Sequence, residues 1–471
     1  MNGAPPIATE RVLSTMNPDG TRRWIRPIPA FGRFYVRRQL LAWFLIVVFV
    51  GLPLIRIGPM PAVQLDILHR KFLFFGTTLL ATDTLLLMLF MLMIFLGVFW
   101  ITALYGRVWC GWGCPQTVYM EFLFRPIERL LEGVTGQRST PARRAVKYAI
   151  FGVISVFLAN VFLSWFVGTD ALSEWIVMSP SEHPAGFAIV AITALLIFID
   201  FAWFREQMCV VACPYARFQS VLIDRQSVIV AYDYGRGEPR GKFHRRTAEE
   251  LSLSQSVQQT GDCVDCNACV KSCPTGLDIR DGFQLECVGC TQCMDACDAV
   301  MDKLKKPHKL IGYSSQEYLE QVRATKQGTF KPTPKGPRVR VVLYPALLAL
   351  VTALFLYFAF NRQLADITML RGIGAPYTVD ADGYITNQIR VRVVPRVPGL
   401  HSYKLSVSGP ANTRLIAPLN PLPGIADEAA QTSLFVSVPG TEFHNGKLDV
   451  VVHFDDGHGF VSAIPFRLLG P

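Results

Sequence analysis

Two runs of closely spaced cysteines stand in the middle of this sequence. Residues 263–274 read CVDCNACVKSCP and residues 287–298 read CVGCTQCMDACD, so the spacing C-x2-C-x2-C-x3-C occurs twice. Three thiolates two residues apart can wrap one face of a cuboidal cluster, whereas the fourth points away and reaches a second cluster. A pair of zinc ribbons gives no reason for the triple spacing, because zinc needs only four thiolates per site. We therefore predict two 4Fe-4S clusters. The predicted ligands are Cys263, Cys266, Cys269 and Cys297 for one, and Cys287, Cys290, Cys293 and Cys273 for the other.

A second cysteine motif also occurs twice. RVWCGWGCPQ at 107–116 and EQMCVVACPY at 206–215 each place two cysteines four residues apart, followed at once by proline. Cysteines at i and i+4 share one face if a helix continues through them. Aligned on their prolines, the two segments also share an aromatic-rich helix end and a short amphipathic stretch. They predict an internal repeat in which Cys110 and Cys114 face Cys209 and Cys213 across a pseudo-twofold axis.

The residues leave several uses open for these four sulfurs. Thiolates are soft ligands that favour monovalent copper, so the four could bind copper. They could also hold a further cluster or cycle between dithiol and disulfide. A structural alternative is four unrelated buried thiols, because free cysteine packs as a small hydrophobe.

The elements that must position these thiols include membrane-spanning helices. A mean hydropathy of +0.31 and 51% hydrophobic residues over 471 positions are typical of a membrane protein. Five apolar runs are close to the roughly 20 residues that cross a hydrocarbon core. A polar leader precedes the first, so it is not a cleavable signal. The runs lie near 39–59, 84–104, 148–168, 186–204 and 341–360.

Lysine and arginine set the predicted orientation. The leader and the segment 106–147 carry seven each, whereas 169–185 carries none. Because positively charged loops stay in the cytoplasm, we predict that 106–147 and 205–340 are cytoplasmic and that the chain after 361 lies outside. All twelve cysteines then lie on the reducing side, which favours metal or redox chemistry over disulfides. The net charge of +10 is spread over membrane-flanking loops and does not indicate a nucleic-acid surface.

The remaining chain divides into an inserted domain and an outer domain. Gly-, Ser- and Lys/Pro-rich stretches at 225–260 and 326–338 are interpreted as linkers around the ferredoxin domain. After Phe360, apolar and polar residues alternate between Pro/Gly turns, which predicts a sandwich of about a hundred residues. We expect this sandwich to bind a partner protein or stabilise a complex. Its HFDDGH stretch (453–458) is interpreted as a polar hairpin turn, and His244 and His308 are predicted to face solvent.

The predicted fold class is a multidomain membrane protein. It combines an all-α bundle of five transmembrane helices, an inserted bacterial-type dicluster ferredoxin domain of the α+β class and a C-terminal immunoglobulin-like β-sandwich. The predicted domains are a cytoplasmic leader (1–38), four spanning helices with both C-x3-CP motifs (39–224), a cytoplasmic dicluster ferredoxin domain with linkers (225–340), a fifth spanning helix (341–360) and a periplasmic sandwich (361–471).

Taken together, the motifs resemble those of a known family. The two C-x3-CP motifs, the run GDCVDCNACVKSCPTGLDIRDG and the run CVGCTQCMDACD are similar to those of the cytochrome oxidase accessory proteins of the CcoG/FixG/RdxA type. The resemblance covers essentially the whole chain. It implies a bacterial inner-membrane iron-sulfur protein that supports assembly of the cbb-type haem-copper oxidase and reduces cupric to cuprous ion. On this resemblance, Cys110, Cys114, Cys209 and Cys213 match the positions assigned to copper handling, and the implied partners are copper chaperones or oxidase assembly factors.

Three functions are compatible with these features. The first is a cupric reductase, in which electrons from the two clusters reach copper at the four-thiol site. The second is a quinol-linked conduit to another redox subunit, for which Asp200 is the acid at the bilayer edge. The third is an assembly scaffold whose clusters are structural. The sequence identifies neither the cytoplasmic electron donor nor the oligomeric state, and a homo-oligomer is among the states it allows.

Overall fold

The structure is a computed structural model of the chain. The described residues fall into two compact units, one within Met1–Leu52, Phe90–Ser164 and Thr169–Ala353, and one within Pro53–Leu89, Trp165–Gly168 and Leu354–Pro471. His244, the stretch 326–338 and most of the predicted linker 225–260 lie outside the described residues. The structure describes residues 14–17, 19–58, 60–67, 71–75, 77–79, 83–241, 261–325, 339–361, 365–395, 400–425 and 429–471.

Among the residues that the structure describes, five helices are long and apolar enough to cross a membrane, which is the number predicted. The first begins at Arg33, inside the segment predicted as a polar leader. Its amino end is capped from the ferredoxin domain, since the Asp295 carboxylate accepts hydrogen bonds from the backbone N–H groups of Phe34 (3.2 Å) and Tyr35 (2.7 Å). The five helices are Arg33–Leu54, Thr84–Tyr105, Pro141–Val167, Pro184–Phe204 and Val339–Phe360.

The segments between the spanning helices contain further regular structure. Short strands follow the first helix: Arg56–Ile57, Met60–Pro61, Val63–Asp66, Lys71–Phe74 and Thr77–Leu79. Short helical elements surround the C-x3-CP motifs. Around the first motif these are Val108–Trp112, Pro115–Tyr119, the π-helical turn Met120–Phe124 and Arg125–Glu132. Around the second they are the π-helical turns Asp200–Phe204 and Met208–Ala212 and the helix Pro214–Leu222; Thr169–Val177 is a helix between the third and fourth spans.

The ferredoxin domain is a small α+β unit. Two antiparallel strands, Ile229–Tyr232 and Ile311–Ser314, pair from Ile229↔Ser314 to Tyr232↔Ile311. All four residues of the first strand are buried, so this part of the predicted linker is wrong: it is a core strand of the domain. The helical elements are Tyr234–Gly237, Ala268–Ser272, Ile279–Asp281, Gln292–Leu304 and Gln316–Thr325.

The C-terminal domain is a two-sheet β-sandwich, as predicted. Its core is formed by inward-facing apolar side chains of both sheets, among them Ile389, Leu434 and Phe454, which are fully buried. The HFDDGH stretch forms the predicted turn, in which the Asp456 carboxylate accepts from the N–H groups of His458 and Phe460. One sheet contains Ala365–Arg371, Thr378–Val379, Tyr384–Pro395, Arg414–Ile416 and Ala430–Pro439, and the other contains Leu400–Ser408, Leu422–Ile425, Lys447–Asp455 and Val461–Leu469.

Candidate iron-sulfur and thiol sites

Four cysteines line one cavity of the ferredoxin domain. Three come from the first run and the fourth, Cys297, comes from the Gln292–Leu304 helix of the second run, which is the grouping that the predicted crossover requires. Burial, together with the nearby Cys269, Asp298, Cys266 and Cys263, raises the pKa of the Cys297 thiol to about 12. The cysteines lining this cavity are Cys263, Cys266, Cys269 and Cys297.

The other four line a second cavity. Cys273 reaches it from the first run and joins three cysteines of the second run, while Cys269 also lies in its wall. Burial raises the pKa of Cys287 to about 11 and that of Cys290 to about 12. Thiols that resist ionisation in isolation become thiolates when a metal takes the place of the proton. The second set is Cys273, Cys287, Cys290 and Cys293.

The two runs have the same local backbone conformation. The residue after the second cysteine of each run, Asn267 or Thr291, adopts a left-handed conformation with φ of 57° or 62°. A helix starts immediately afterwards and carries the third cysteine, Cys269 or Cys293. The shared conformation explains why equal spacing produces equal geometry.

Both sets fit a 4Fe-4S cluster. Each supplies four thiols around one cavity, which is the ligand set of such a cluster. Within the part of the chain that the structure describes, no group of three or more His, Cys, Asp or Glu side chains is close enough to hold a single metal ion.

Buried cations lie beside both cavities. Arg280 lines the first cavity and donates to Asp278 and Asp265, each at 2.6 Å. Arg38 was not foreseen: it is 1% exposed and its charge lowers the pKa of Cys290, against the larger effect of burial. Both cations offset negative charge at the thiolates. Arg38 belongs to the first spanning helix, so no local pattern near the cysteines could have revealed it.

The two C-x3-CP motifs face each other in the way the repeat predicts. Gln116 follows the first motif, and Asp200 precedes the second. Gln116 Nε2 donates a hydrogen bond to Asp200 Oδ1 (3.1 Å). In the reciprocal direction, the Tyr215 hydroxyl after the second motif lies 3.1 Å from the Thr102 hydroxyl before the first. Such exchanged contacts are what a pseudo-twofold axis produces.

The four motif thiols are neighbours. Burial raises the pKa of Cys110 to about 11 against the opposing charge of Arg107, and the neighbouring Cys114 and Cys213 contribute to this rise. Burial also raises the pKa of Cys209. The neighbouring thiols of Cys114, Cys110 and Cys213 add to this rise, in decreasing order. All four are free cysteines. The tetrad, as we call Cys110, Cys114, Cys209 and Cys213, is therefore a group of neighbouring cysteines, of which Cys110 is buried and the other three are partly buried.

The helix does not continue through either motif, contrary to the i, i+4 interpretation. Cys114 and Cys213 have extended backbones, with ψ of 128° and 113°, and a new helix begins at the following proline. The residue before proline is disfavoured in the helical region, and proline is well suited to the first helical turn. Each motif therefore places one cysteine on a helical turn and the other at the start of the next helix.

The first motif packs directly on the loop that carries the second cysteine set. A Cβ atom added to Gly111 would lie 2.7 Å from Val288 O and 2.8 Å from Cys290 Cα, so only glycine permits this approach. Cys110, Val288 and Cys290 form one buried group with Cys209 packed against it. The tetrad and the second cavity are thus direct neighbours.

The fold and these cysteine sets define a membrane-bound iron-sulfur protein. Residues 204–316 match the family model of a 4Fe-4S dicluster domain, and residues 87–132 match that of a 4Fe-4S binding domain. Residues 355–471 match the Ig-like fold found at the C-terminus of FixG.

Full-length relatives narrow the class to a family. Protein RdxB of Cereibacter sphaeroides is 36% identical over 76% of this chain and 75% of its own length. Nitrogen fixation protein FixG of Rhizobium meliloti is 31% identical over 84% and 81%, and protein RdxA of Cereibacter sphaeroides is 31% identical over 85% and 86%. The chain belongs to the FixG/RdxA/RdxB family. A crystal structure of a FixG-related protein from Vibrio parahaemolyticus aligns with a TM-score of 0.21 and 12% identity over 23% of this chain and 98% of that one.

Proposed function

We propose that this protein reduces Cu(II) to Cu(I) at the tetrad and thereby supports assembly of a cbb-type cytochrome c oxidase. The observation that carries the proposal is the contact between Gly111 of the first motif and the backbone of Val288 and Cys290. It brings a group of soft sulfur ligands against one of the two cysteine sets that fit a 4Fe-4S cluster. Iron-sulfur clusters supply one-electron transfer, which is the stoichiometry of Cu(II) reduction.

The ligand assignment follows the two cavities. Cys263, Cys266, Cys269 and Cys297 hold the first cluster. The second is held by Cys273, Cys287, Cys290 and Cys293. The crossover of Cys273 and Cys297 and the lining of the two cavities support this assignment.

Copper is a substrate in this proposal. Thiolates favour Cu(I) over harder metals, so binding at the tetrad makes reduction of Cu(II) more favourable, by about 59 mV for each tenfold preference. Cys110 is oriented by Gln219, whose Oε1 accepts from Cys110 Sγ at 3.2 Å and from Arg107 Nε at 3.1 Å. Copper chaperones or oxidase assembly factors receive the product. The distribution of Lys and Arg supports a bacterial inner-membrane location, with the clusters and tetrad cytoplasmic and the sandwich periplasmic.

A further 4Fe-4S cluster at the same thiols is the second candidate. It is favoured by the match of residues 87–132 to a 4Fe-4S binding domain, a segment that contains only Cys110 and Cys114. The other two ligands of such a cluster are then Cys209 and Cys213. Iron analysis of anaerobically purified protein distinguishes the two, because two clusters contribute about eight iron atoms per chain and three contribute about twelve.

The test of copper reduction uses the full chain, reduced chemically and freed of excess reductant under anaerobic conditions. Cu(II) is added with a chromogenic Cu(I) chelator. We expect one Cu(I) per stored electron in the native protein and none in the double variant Cys110→Ser/Cys209→Ser, with iron content equal at about eight atoms in both. Equal Cu(I) formation in both proteins would show that the tetrad is not the site of copper reduction.

A further inference from the structure

A cavity of about 400 Å³ lies where the second spanning helix meets the ferredoxin domain. Tyr105, the last residue of that helix, forms part of its wall, and Cys287 of the second cysteine set forms another part. Its volume is in the range of small-molecule sites, which are about 300–1,000 Å³. Neither the tetrad nor the first cysteine set contributes to its wall.

The lining selects for an apolar ligand. Val228, Ile229 and Phe283 are typical of the wall, and Arg107 is its one cationic side chain. Arg107 is already engaged, because Nε donates to Gln219 and Nη1 donates to the carbonyl of Leu285. A nicotinamide or flavin nucleotide carries phosphates, which need several N–H groups or cations, and this wall does not provide them.

Two lining residues have buried donors that lack a partner. Arg107 is 7% exposed, and its Nη2 has no hydrogen-bond partner within the described residues. The indole Nε1 of Trp112 is also buried without a partner there. Unsatisfied buried donors are costly, and a ligand with two oxygen acceptors on an apolar ring would supply what they lack.

The location matches a lipid-soluble redox compound. Because Tyr105 ends a spanning helix, the cavity beside it lies near the level where the chain leaves the membrane, which suits a ligand that partitions into the bilayer. A ring bound there lies against Cys287, so the distance to the second cysteine set is short. Asp200, the acid that the sequence suggested for a quinol, is hydrogen-bonded to Gln116 instead and is not in this wall.

We infer that this cavity binds a membrane quinol and that the quinol is the electron donor for copper reduction. The inference rests on the proposed function and names its missing reductant. One quinol loses two electrons and two protons and becomes quinone; the electrons reduce two Cu(II) to two Cu(I), one at a time, and the protons leave to water. The reaction balances as QH2 + 2 Cu(II) → Q + 2 Cu(I) + 2 H+.

Binding is tested first, on the full chain in detergent. A photoreactive quinone with a short alkyl tail is cross-linked and the labelled peptides are mapped, while its affinity is measured by quenching of tryptophan fluorescence. We expect labelling in the segments 105–112 and 228–230, and affinity reduced about tenfold or more in Val228→Trp, which fills the cavity. Val228→Phe should give a smaller reduction. Val153→Trp is the matched control, because Val153 is 71% exposed on the third spanning helix.

Electron transfer is tested second, by anaerobic addition of a soluble quinol and measurement of iron-sulfur absorbance. We expect bleaching in the native protein and in Val153→Trp, and slower bleaching in Val228→Trp, with full bleaching by dithionite in all three. Labelling elsewhere, or equal quinol rates in all three proteins, overturns the inference. If quinol bleaches the clusters but no Cu(I) forms, the cavity is a quinol site and copper reduction, the proposed function, fails. If dithionite-reduced protein makes Cu(I) but quinol neither binds nor bleaches, copper reduction stands and the quinol site fails.

Discussion

The contact at Gly111 can be broken by a single methyl group. Ala in place of Gly111 would put its Cβ 2.7 Å from Val288 O and 2.8 Å from both Cys290 N and Cys290 Cα. All three are backbone atoms, so no side-chain rotation relieves the clash. An ordinary contact begins at 3.4 Å, and the first motif must therefore move away from the second cysteine set by about 0.7 Å.

This displacement has two measurable consequences. Overpacking of a close-packed site costs about 1–3 kcal/mol, so the midpoint of thermal unfolding should fall. Misplacement of reacting groups by about 1 Å can cost about 100-fold in rate, so we expect Cu(I) formation to slow by about tenfold or more. Iron content should stay unchanged, because Gly111 lines neither cysteine cavity.

The assay is single-turnover Cu(I) formation by chemically reduced protein, with iron content and thermal unfolding measured on the same samples. Gly152→Ala is the matched control: it adds the same methyl group to the third spanning helix, where its Cβ would meet nothing within 4 Å. If Gly111→Ala is less stable than Gly152→Ala but equally fast, the contact between the tetrad and the second cysteine set carries no electrons. If the two variants match in both rate and stability, the contact itself is absent.

Three further changes test other parts of the structure. Cys297→Ala should remove the first cluster and leave the second, so iron falls from about eight to about four atoms per chain; loss of all iron would contradict the crossover. Arg38→Met should lower the reduction potential of the second cluster by roughly 60 mV if the buried cation contributes about 1.4 kcal/mol. Redox titration measures this potential. Arg38 also donates to the Gly111 carbonyl at 2.9 Å, and an unchanged potential would show that it only positions Gly111. Asp295→Ala removes the cap on Phe34 and Tyr35, and should cost about 0.5–2 kcal/mol in thermal unfolding, whereas Asp298→Ala, the control, leaves both bonds intact.

The cysteine sets could be predicted because their geometry is local. Spacing of two residues, with a left-handed residue before the third cysteine, determines where three sulfurs of each set point, and only the crossover required a second segment. The interruption of the helix at Cys114 and Cys213 could also be predicted, because proline follows each cysteine and restricts its backbone conformation. The strand Ile229–Tyr232 had a signal in the apolar run VIVAY, which the surrounding Gly- and Arg-rich residues obscured.

The contacts that relate the cysteine groups could not be predicted, because they join distant segments. Nothing near Gly111 indicates that Cys290 will pack on it, and nothing near Cys290 indicates Arg38. The quinol cavity likewise depends on how Tyr105, Trp112 and Phe283 meet in the folded chain. The sequence suggested Asp200 as the acid of a quinol site because an acidic residue at the end of an apolar run can be recognised in a sequence. The shape of a cavity cannot be recognised in this way.

The charged residues of 106–147 also form contacts with distant segments that the sequence does not reveal. These contacts help to position the tetrad. The charges were interpreted as a topology signal, yet Arg125 and Lys147 are buried in ion pairs. Arg125 and Glu128 follow the first motif, and Arg205 and Glu206 precede the second. Arg125 pairs with Glu206 (3.3 Å), and Arg205 pairs with Glu128 (3.0 Å). Buried ion pairs add little net stability, but removing one partner costs about 3–5 kcal/mol. Both pairs join the segment after the first motif to the segment before the second, so they hold the two motifs side by side.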